Sequence, residues 1–209
     1  MWIFDLDNTL HDANPHIFPH INRSMTAYVA QQLGLDEAAA SALRVQYWRR
    51  YGATLLGLQH RHGVDPRHFL WHTHQFERLA DMVVAERALD HSLARLRGRK
   101  LVFSNSPQHY AHAVLEVLGI ARHFEQVVCI EQMRYTPKPQ PAAFRHLLAR
   151  AGLKAAQCVL VEDSAENLCA AKRLGMRTVW ITRSRQRPAY VDLKLASIQD
   201  LPRHAYLVG

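Results

Sequence analysis

Short, unbroken apolar runs recur along the chain at about residues 1–5, 100–104, 126–130, 157–162 and 177–182, each rich in Val, Ile, Leu or Phe. Runs of this length without polar alternation predict strands covered on both faces, as in a parallel sheet. Between the later runs the apolar positions change to helical spacing, over residues 107–118, 141–151 and 164–174. Ser106-Pro107 predicts an N-cap followed by proline at the first helical position. Gly119, Gly152 and Gly175 stand where these helices should stop. Strands that alternate with single helices predict βαβ units, hence an α/β fold with a doubly wound parallel sheet.

Residues 14–97 break the alternation. Their periodicity predicts consecutive helices near 16–33, 36–51, 66–80 and 84–96, with Asp36 as N-cap of an alanine-rich run. The expected organisation is therefore an α/β core of residues 1–13 and 98–209, interrupted after its first strand by a helical insertion, 14–97. Phe69, Trp71 and Phe76 are expected in the core of that insertion. Tyr47, Trp48, Arg49 and Arg50 are open to two readings, packing or contact with a substrate. No internal repeat or low-complexity linker is present.

Composition narrows the class. The chain has 209 residues, 48% hydrophobic and 21% charged, enough for one core with an inserted segment. No stretch reaches the ~20 apolar residues of a membrane helix. No basic n-region precedes the first strand, so no signal peptide is expected and the reading is cytoplasmic. Cys129, Cys158 and Cys169 are odd in number and lack Cys-x-x-Cys spacing, which predicts reduced, buried thiols. The net charge of +8 raises the question of nucleic acid. The basic residues are dispersed, however, and the densest cluster, Arg183-Ser184-Arg185-Gln186-Arg187, is short and has no interleaved aromatics. The charge suits small anionic partners better, with neither nucleic acid nor membrane expected.

Four strand ends carry candidate chemistry. The first run leads into Asp5-Leu6-Asp7-Asn8-Thr9-Leu10, two acids just beyond a buried strand, where open α/β sheets bind ligands. The second leads into Ser104-Asn105-Ser106, a hydroxyl beside free backbone N–H groups at a helix start, which suits a phosphate oxygen or simply caps the helix. Tyr135-Thr136-Pro137-Lys138-Pro139 holds a lysine between two prolines. Only five of the 26 basic residues are lysines, so a lysine here points to a compact charge, unless it is a solvent-facing turn. Glu162-Asp163 end another apolar run; they either cap the following helix or supply oxygen ligands to Mg²⁺.

The order and placement of Asp5-Leu6-Asp7-Asn8-Thr9, Ser104, Lys138 and Glu162-Asp163 resemble the haloacid dehalogenase (HAD) superfamily of phosphatases, over the whole chain. The resemblance implies a Rossmann-like core with a helical cap, and a phosphatase. It makes Asp5 the nucleophile that forms an aspartyl-phosphate and Asp7 the general acid and then base. It makes Ser104, Asn105 and Lys138 phosphate-binding. It assigns Mg²⁺ to Asp5, the backbone carbonyl of Asp7, Asp163 and Glu162, the last acting directly or through water. Asp7 favours phosphoryl transfer over dehalogenation, and the absence of lysine from the insertion argues against Schiff-base phosphonate chemistry.

Phe4-Asp5-Leu6-Asp7-Asn8-Thr9-Leu10 together with Tyr51-Gly52-Ala53-Thr54-Leu55-Leu56-Gly57-Leu58 further resembles the pyrimidine 5′-nucleotidase branch, with His11 where a tyrosine is expected. That likeness makes His11, Tyr51 and Gly52 candidate substrate or cap residues and a nucleoside monophosphate the expected substrate. The alternatives are a sugar-phosphate or phosphoglycolate phosphatase, a phosphomutase of the same fold, or a non-enzymatic protein that binds such metabolites, as monomer or homodimer. His68 and His72 share a helical face and could bind zinc with Glu77; a solvated or partly packed cluster is the expectation.

Overall fold

The structure is a computed structural model that describes residues 1–208. The chain divides into two compact units, Met1–Ala13 together with the chain from Val83 onward, and Asn14–Met82.

The first unit begins with β1 (Trp2–Phe4). The second unit follows it in the chain, with α1 (Ile17–Leu33), α2 (Glu37–Tyr51), α3 (Thr54–His62), α4 (Pro66–Thr73) and α5 (Leu79–Met82). The first unit then resumes with α6 (Leu89–Arg95), β2 (Lys100–Phe103), α7 (Gln108–Val117), β3 (Gln126–Val128), α8 (Pro141–Ala151), β4 (Val159–Glu162), α9 (Ala165–Arg173), β5 (Arg177–Ile181), β6 (Leu193–Leu195) and α10 (Leu201–His204). All six strands are parallel, in the order β3-β2-β1-β4-β5-β6. The chain winds outward from β1 in one direction and then, from β4, in the other. That reversal opens a crevice between the carboxyl ends of β1 and β4.

The central strands are apolar because both faces are covered. Trp2, Ile3 and Phe4 of β1, Leu101, Val102 and Phe103 of β2 and Val159, Leu160 and Val161 of β4 are all buried. Phe103 meets Phe144 of α8 edge-on, with ring centres 5.3 Å apart. β6 was not expected from sequence: its three residues are too few to show a period, although Leu193 and Leu195 are buried around the less buried Lys194. α6, grouped with the insertion by periodicity, lies in the first unit, where it packs against α10 and buries Leu89 and Leu93.

In the second unit, Asp36 caps α2 by accepting from the Ala39 N–H at 2.8 Å. The long helix expected over 66–80 breaks after Thr73, and α3 lies between the helices expected over 36–51 and 66–80, where none was predicted. α3 packs closely on α2: a Cβ added at Gly57 would lie 2.3 Å from Cγ of Tyr47. Phe69 is buried as expected, but Trp71, two residues away and so on another face, is 55% exposed. Tyr47 is packed and pairs its hydroxyl with His62 Nε2 at 2.7 Å, while Trp48, Arg49 and Arg50 are exposed. The His68 and His72 rings lie 4.3 Å apart, and His68 Nδ1 pairs with the Tyr28 hydroxyl at 2.7 Å. No third metal-ligating side chain joins them among the described residues.

Candidate active site

β1 and β4 bring the first pair of acids together. Phe4 stands beside Val161 in the ladder, and the Asp5 N–H continues it by donating to the Val161 carbonyl at 3.0 Å. Asp5 therefore sits level with Glu162 at the crevice between the two strands. A tight turn follows, in which Asn8 adopts φ +63°, a left-handed conformation that asparagine tolerates. The Asn8 side chain accepts from the Ala13 N–H at 3.0 Å and closes the turn.

Lys138 reaches these acids from the loop after β3. Its ammonium donates to Asp5 Oδ1 at 2.7 Å, to the Phe103 carbonyl at 2.8 Å and to Glu162 Oε2 at 2.9 Å, so all three of its protons are placed. The residue is 3% exposed. Burial alone would lower its pKa, but the charges of Asp5 and Glu162 outweigh that and raise it, so the lysine is a fixed cation. Asn105 secures the loop. Its amide oxygen accepts from the Lys138 N–H at 2.8 Å, and its amide nitrogen donates to the Lys138 carbonyl at 3.1 Å.

Glu162 is fully committed. Oε1 accepts the N–H groups of Asp163 and Ser164, and Oε2 accepts from Lys138 and from Asn167 Nδ2. Burial pushes its pKa up, but Lys138 and these donors hold it below the ordinary carboxylate value. Asp5 goes the other way: burial, then the charge of Glu162, pushes it up to about 7. Asp163 is pushed up to about 8 by burial and by its contact with Glu162. Carboxylate oxygens of Asp5, Glu162 and Asp163 all lie within 4.8 Å of one another. Three acids thus face a single ammonium, and burial first, with the surplus negative charge second, drives two of them upward. A donor set made only of oxygens, carrying surplus negative charge, fits a hard divalent cation.

Asp7 has different company. Its Oδ1 accepts from the Tyr110 hydroxyl at 2.6 Å and pairs with His11 Nε2 at 2.9 Å; its Oδ2 accepts from the Ser106 hydroxyl at 2.7 Å. Burial raises its pKa, but the hydrogen bonds from His11, Tyr110 and Ser106 bring it below the usual value. Two acids separated by one residue are therefore held in opposite states, with Asp5 inclined to keep a proton and Asp7 inclined to lose one.

Residues 2–175 match the model of the haloacid dehalogenase-like hydrolase family. The chain belongs to that family. It is 30% identical over 191 residues to the phosphoglycolate phosphatase of Yersinia pseudotuberculosis, covering 86% of this chain and 79% of that one. It is 25% identical over 190 residues to phosphate metabolism protein 8 of Saccharomyces cerevisiae, covering 84% of this chain; the aligned part spans only 59% of the yeast protein's length. The crystal structure of a HAD phosphatase from Thermococcus onnurineus shares the fold, with a TM-score of 0.68 at 21% identity over 98% of this chain and 96% of that one.

In this HAD chain the structure brings Asp5, Lys138, Glu162 and Asp163 into one cluster, and Asp7 and His11 into direct contact. Ser104 is buried at the end of β2, where its hydroxyl accepts from the Ser106 N–H at 3.0 Å. Asn105, expected against phosphate, is instead spent on the backbone of Lys138, because both ends of its amide meet that residue. Tyr51 and Gly52 belong to the second unit. Gly52 ends α2 at φ +84°, and the Tyr51 ring packs on Tyr47 and His60. Two contributors were missed. Ser106 was read as a helix cap, yet its hydroxyl donates to Asp7, and Pro107 takes the cap position while Glu131 accepts from the Gln108 N–H. Tyr110 lies one turn into α7, fully buried, and its register toward Asp7 carries no sequence signal beyond the apolar helix face.

Proposed function

We propose that the protein is a Mg²⁺-dependent phosphatase that hydrolyses a small phosphomonoester through an aspartyl-phosphate on Asp5. The observation that carries this reading is the buried contact of Lys138 with both Asp5 and Glu162, beside Asp163, at the carboxyl end of the central strands. An anionic nucleophile approaches an anionic phosphate only where fixed positive charge offsets their repulsion. Lys138 supplies one such charge. Asp5, Asp163 and the backbone carbonyl of Asp7 would hold Mg²⁺, which when bound neutralises phosphoryl oxygens and keeps Asp5 ionised. Glu162 serves by orienting Lys138, since both its oxygens are already engaged.

Asp7, ionised before substrate binds, takes up a proton from water as the anionic phosphate enters; Asp5 Oδ then attacks phosphorus as the bond to the leaving oxygen breaks, and that oxygen takes the Asp7 proton. Water then attacks the acyl phosphate, returns a proton to Asp7 and frees Asp5. Ser104, at the end of β2, serves the transferred oxygens, while the Gln108 N–H at the start of α7 is already taken by Glu131.

For the substrate, we place phosphoglycolate and sugar phosphates ahead of UMP and CMP. A relative that aligns over most of both chains is named a phosphoglycolate phosphatase. The nucleotidase likeness rests on a short segment around Tyr51-Gly52 and on a first motif that carries His11 in place of tyrosine. Phosphate release from a panel of phosphoglycolate, sugar phosphates, UMP, CMP and AMP, with and without Mg²⁺, tests both levels. Metal-dependent release lost in Asp5→Asn supports the mechanism, and the preferred member identifies the substrate class. Equal background in wild type and Asp5→Asn on every member overturns the reading.

A further inference from the structure

Among the described residues, the buried side-chain polar atom without a hydrogen-bond partner is Nδ1 of His11. His11 is 3% exposed and lies between the buried residues Leu10 and Ala13. A side chain kept only to fill that space gains nothing from a ring nitrogen that meets no partner, because its lost hydration goes uncompensated. What the imidazole offers over an aliphatic group is Nε2, 2.9 Å from Asp7 Oδ1. An ionised carboxylate only accepts, so the ring hydrogen is assigned to Nε2, which has an acceptor, rather than to Nδ1, which has none.

The Asp7 carboxylate is thereby gripped at both ends. Tyr110 and His11 converge on Oδ1, and Ser106 holds Oδ2. Tyr110 is buried in α7 and Ser106 precedes that helix, whereas His11 comes from the same turn as Asp7 itself. The turn and the helix therefore fix the plane of the carboxyl group between them.

We infer that His11 is a positioning residue: through Nε2 it holds the Asp7 carboxyl in the orientation from which its proton passes to the leaving oxygen. The inference rests on the role of Asp7 in the reaction proposed above. Asp7, ionised before substrate binds, first takes up a proton from water; in the transfer step the phosphorus–oxygen bond to the leaving group breaks as the bond to Asp5 forms, and the leaving oxygen takes that proton. A water proton restores it in the second step. A leaving group that departs readily as an anion needs that proton little; an alkoxide needs it fully.

The test is kcat/KM for p-nitrophenyl phosphate and for an alkyl phosphate, in wild type, His11→Leu, His11→Gln and Tyr110→Phe, each with Mg²⁺. The ratio of kcat/KM reports the first phosphoryl transfer. In His11→Leu the alkyl phosphate should lose roughly ten-fold more than p-nitrophenyl phosphate, a part of the roughly 10²–10⁴-fold that general acids contribute. The loss should fall on kcat with KM little changed, and His11→Gln, which keeps a donor, should recover most of it. Tyr110→Phe removes one hydroxyl without changing core shape and should show the same leaving-group dependence, which keeps the test open if His11→Leu does not fold. Equal losses on both substrates, or none, would overturn the inference while leaving the phosphatase reading intact. Wild type no better than Asp5→Asn on either substrate would remove that reading and the inference with it.

Discussion

Lys138 Nζ lies 2.7 Å from Asp5 Oδ1, although the two residues are 133 positions apart in sequence. The contact joins the loop after β3 to the end of β1, and Glu162 receives the same ammonium from the other side at 2.9 Å. Every partner is buried, so the lysine serves the fold as a counter-charge and the proposed chemistry as a fixed cation.

Removing that cation should be expensive. Lys138→Met leaves Asp5 and Glu162 facing each other without a counter-charge, and breaking a buried ion pair from one side costs roughly 3–5 kcal/mol. Urea unfolding of metal-free protein should show a loss of that order. A loss below about 1 kcal/mol would mean that the ammonium is solvated rather than locked between the acids.

The acids predict a pH dependence with a definite sign. Burial raises Asp5 to about 7 and Asp163 to about 8, from an ordinary value of 3.8. Between those limits the folded state binds more protons than the unfolded one, so stability falls as pH rises. In EDTA the Tm should drop between about pH 5 and 8. The rise in Tm on adding Mg²⁺ should be larger at pH 8 than at pH 5, because the cation binds the ionised carboxylates. A metal effect independent of pH, or larger at pH 5, would contradict this placement of the charge.

Asn105 separates two roles by measurement. If it holds the Lys138 backbone, as its two hydrogen bonds indicate, Asn105→Ala should lower stability by about 1–3 kcal/mol as buried partners go unpaired. Phosphate release should fall with it. A rise in KM with unchanged unfolding would return Asn105 to direct phosphate contact.

Gly57 tests the second unit. An added methyl would lie 2.3 Å from Tyr47 Cγ, a part of that side chain that cannot swing aside. Gly57→Ala should cost roughly 1–3 kcal/mol as α2 and α3 separate, read as a lower Tm. An unchanged Tm would show that the two helices yield easily.

The parts of the fold and site that could be read from sequence are those written in local pattern. β1, β2 and β4 are apolar throughout because both faces are covered, and Asp5, Asp7, Ser104 and Glu162-Asp163 stand at their ends by necessity of the parallel sheet. Lys138 stood out because lysine is scarce in this chain and is framed by prolines. What escaped depends on tertiary register. Ser106 looks like any serine before a proline, and only the placement of α7 turns its hydroxyl, with that of Tyr110, toward Asp7. Asn105 looks like a phosphate ligand until the lysine loop arrives beside it. α6 has the same helical period whether it packs with the first unit or the second, and β6 is too short to show any period.

The central claim is that Asp5 carries the phosphoryl group, and trapping that intermediate tests it most directly. Protein quenched during turnover of an accepted phosphomonoester with Mg²⁺, then treated with borohydride, should yield homoserine at position 5, since reduction of an acyl phosphate converts aspartate to that residue. Asp5→Asn and wild type without substrate should yield none. Phosphate release by wild type with no homoserine at position 5, or with the label on another aspartate, would contradict the account.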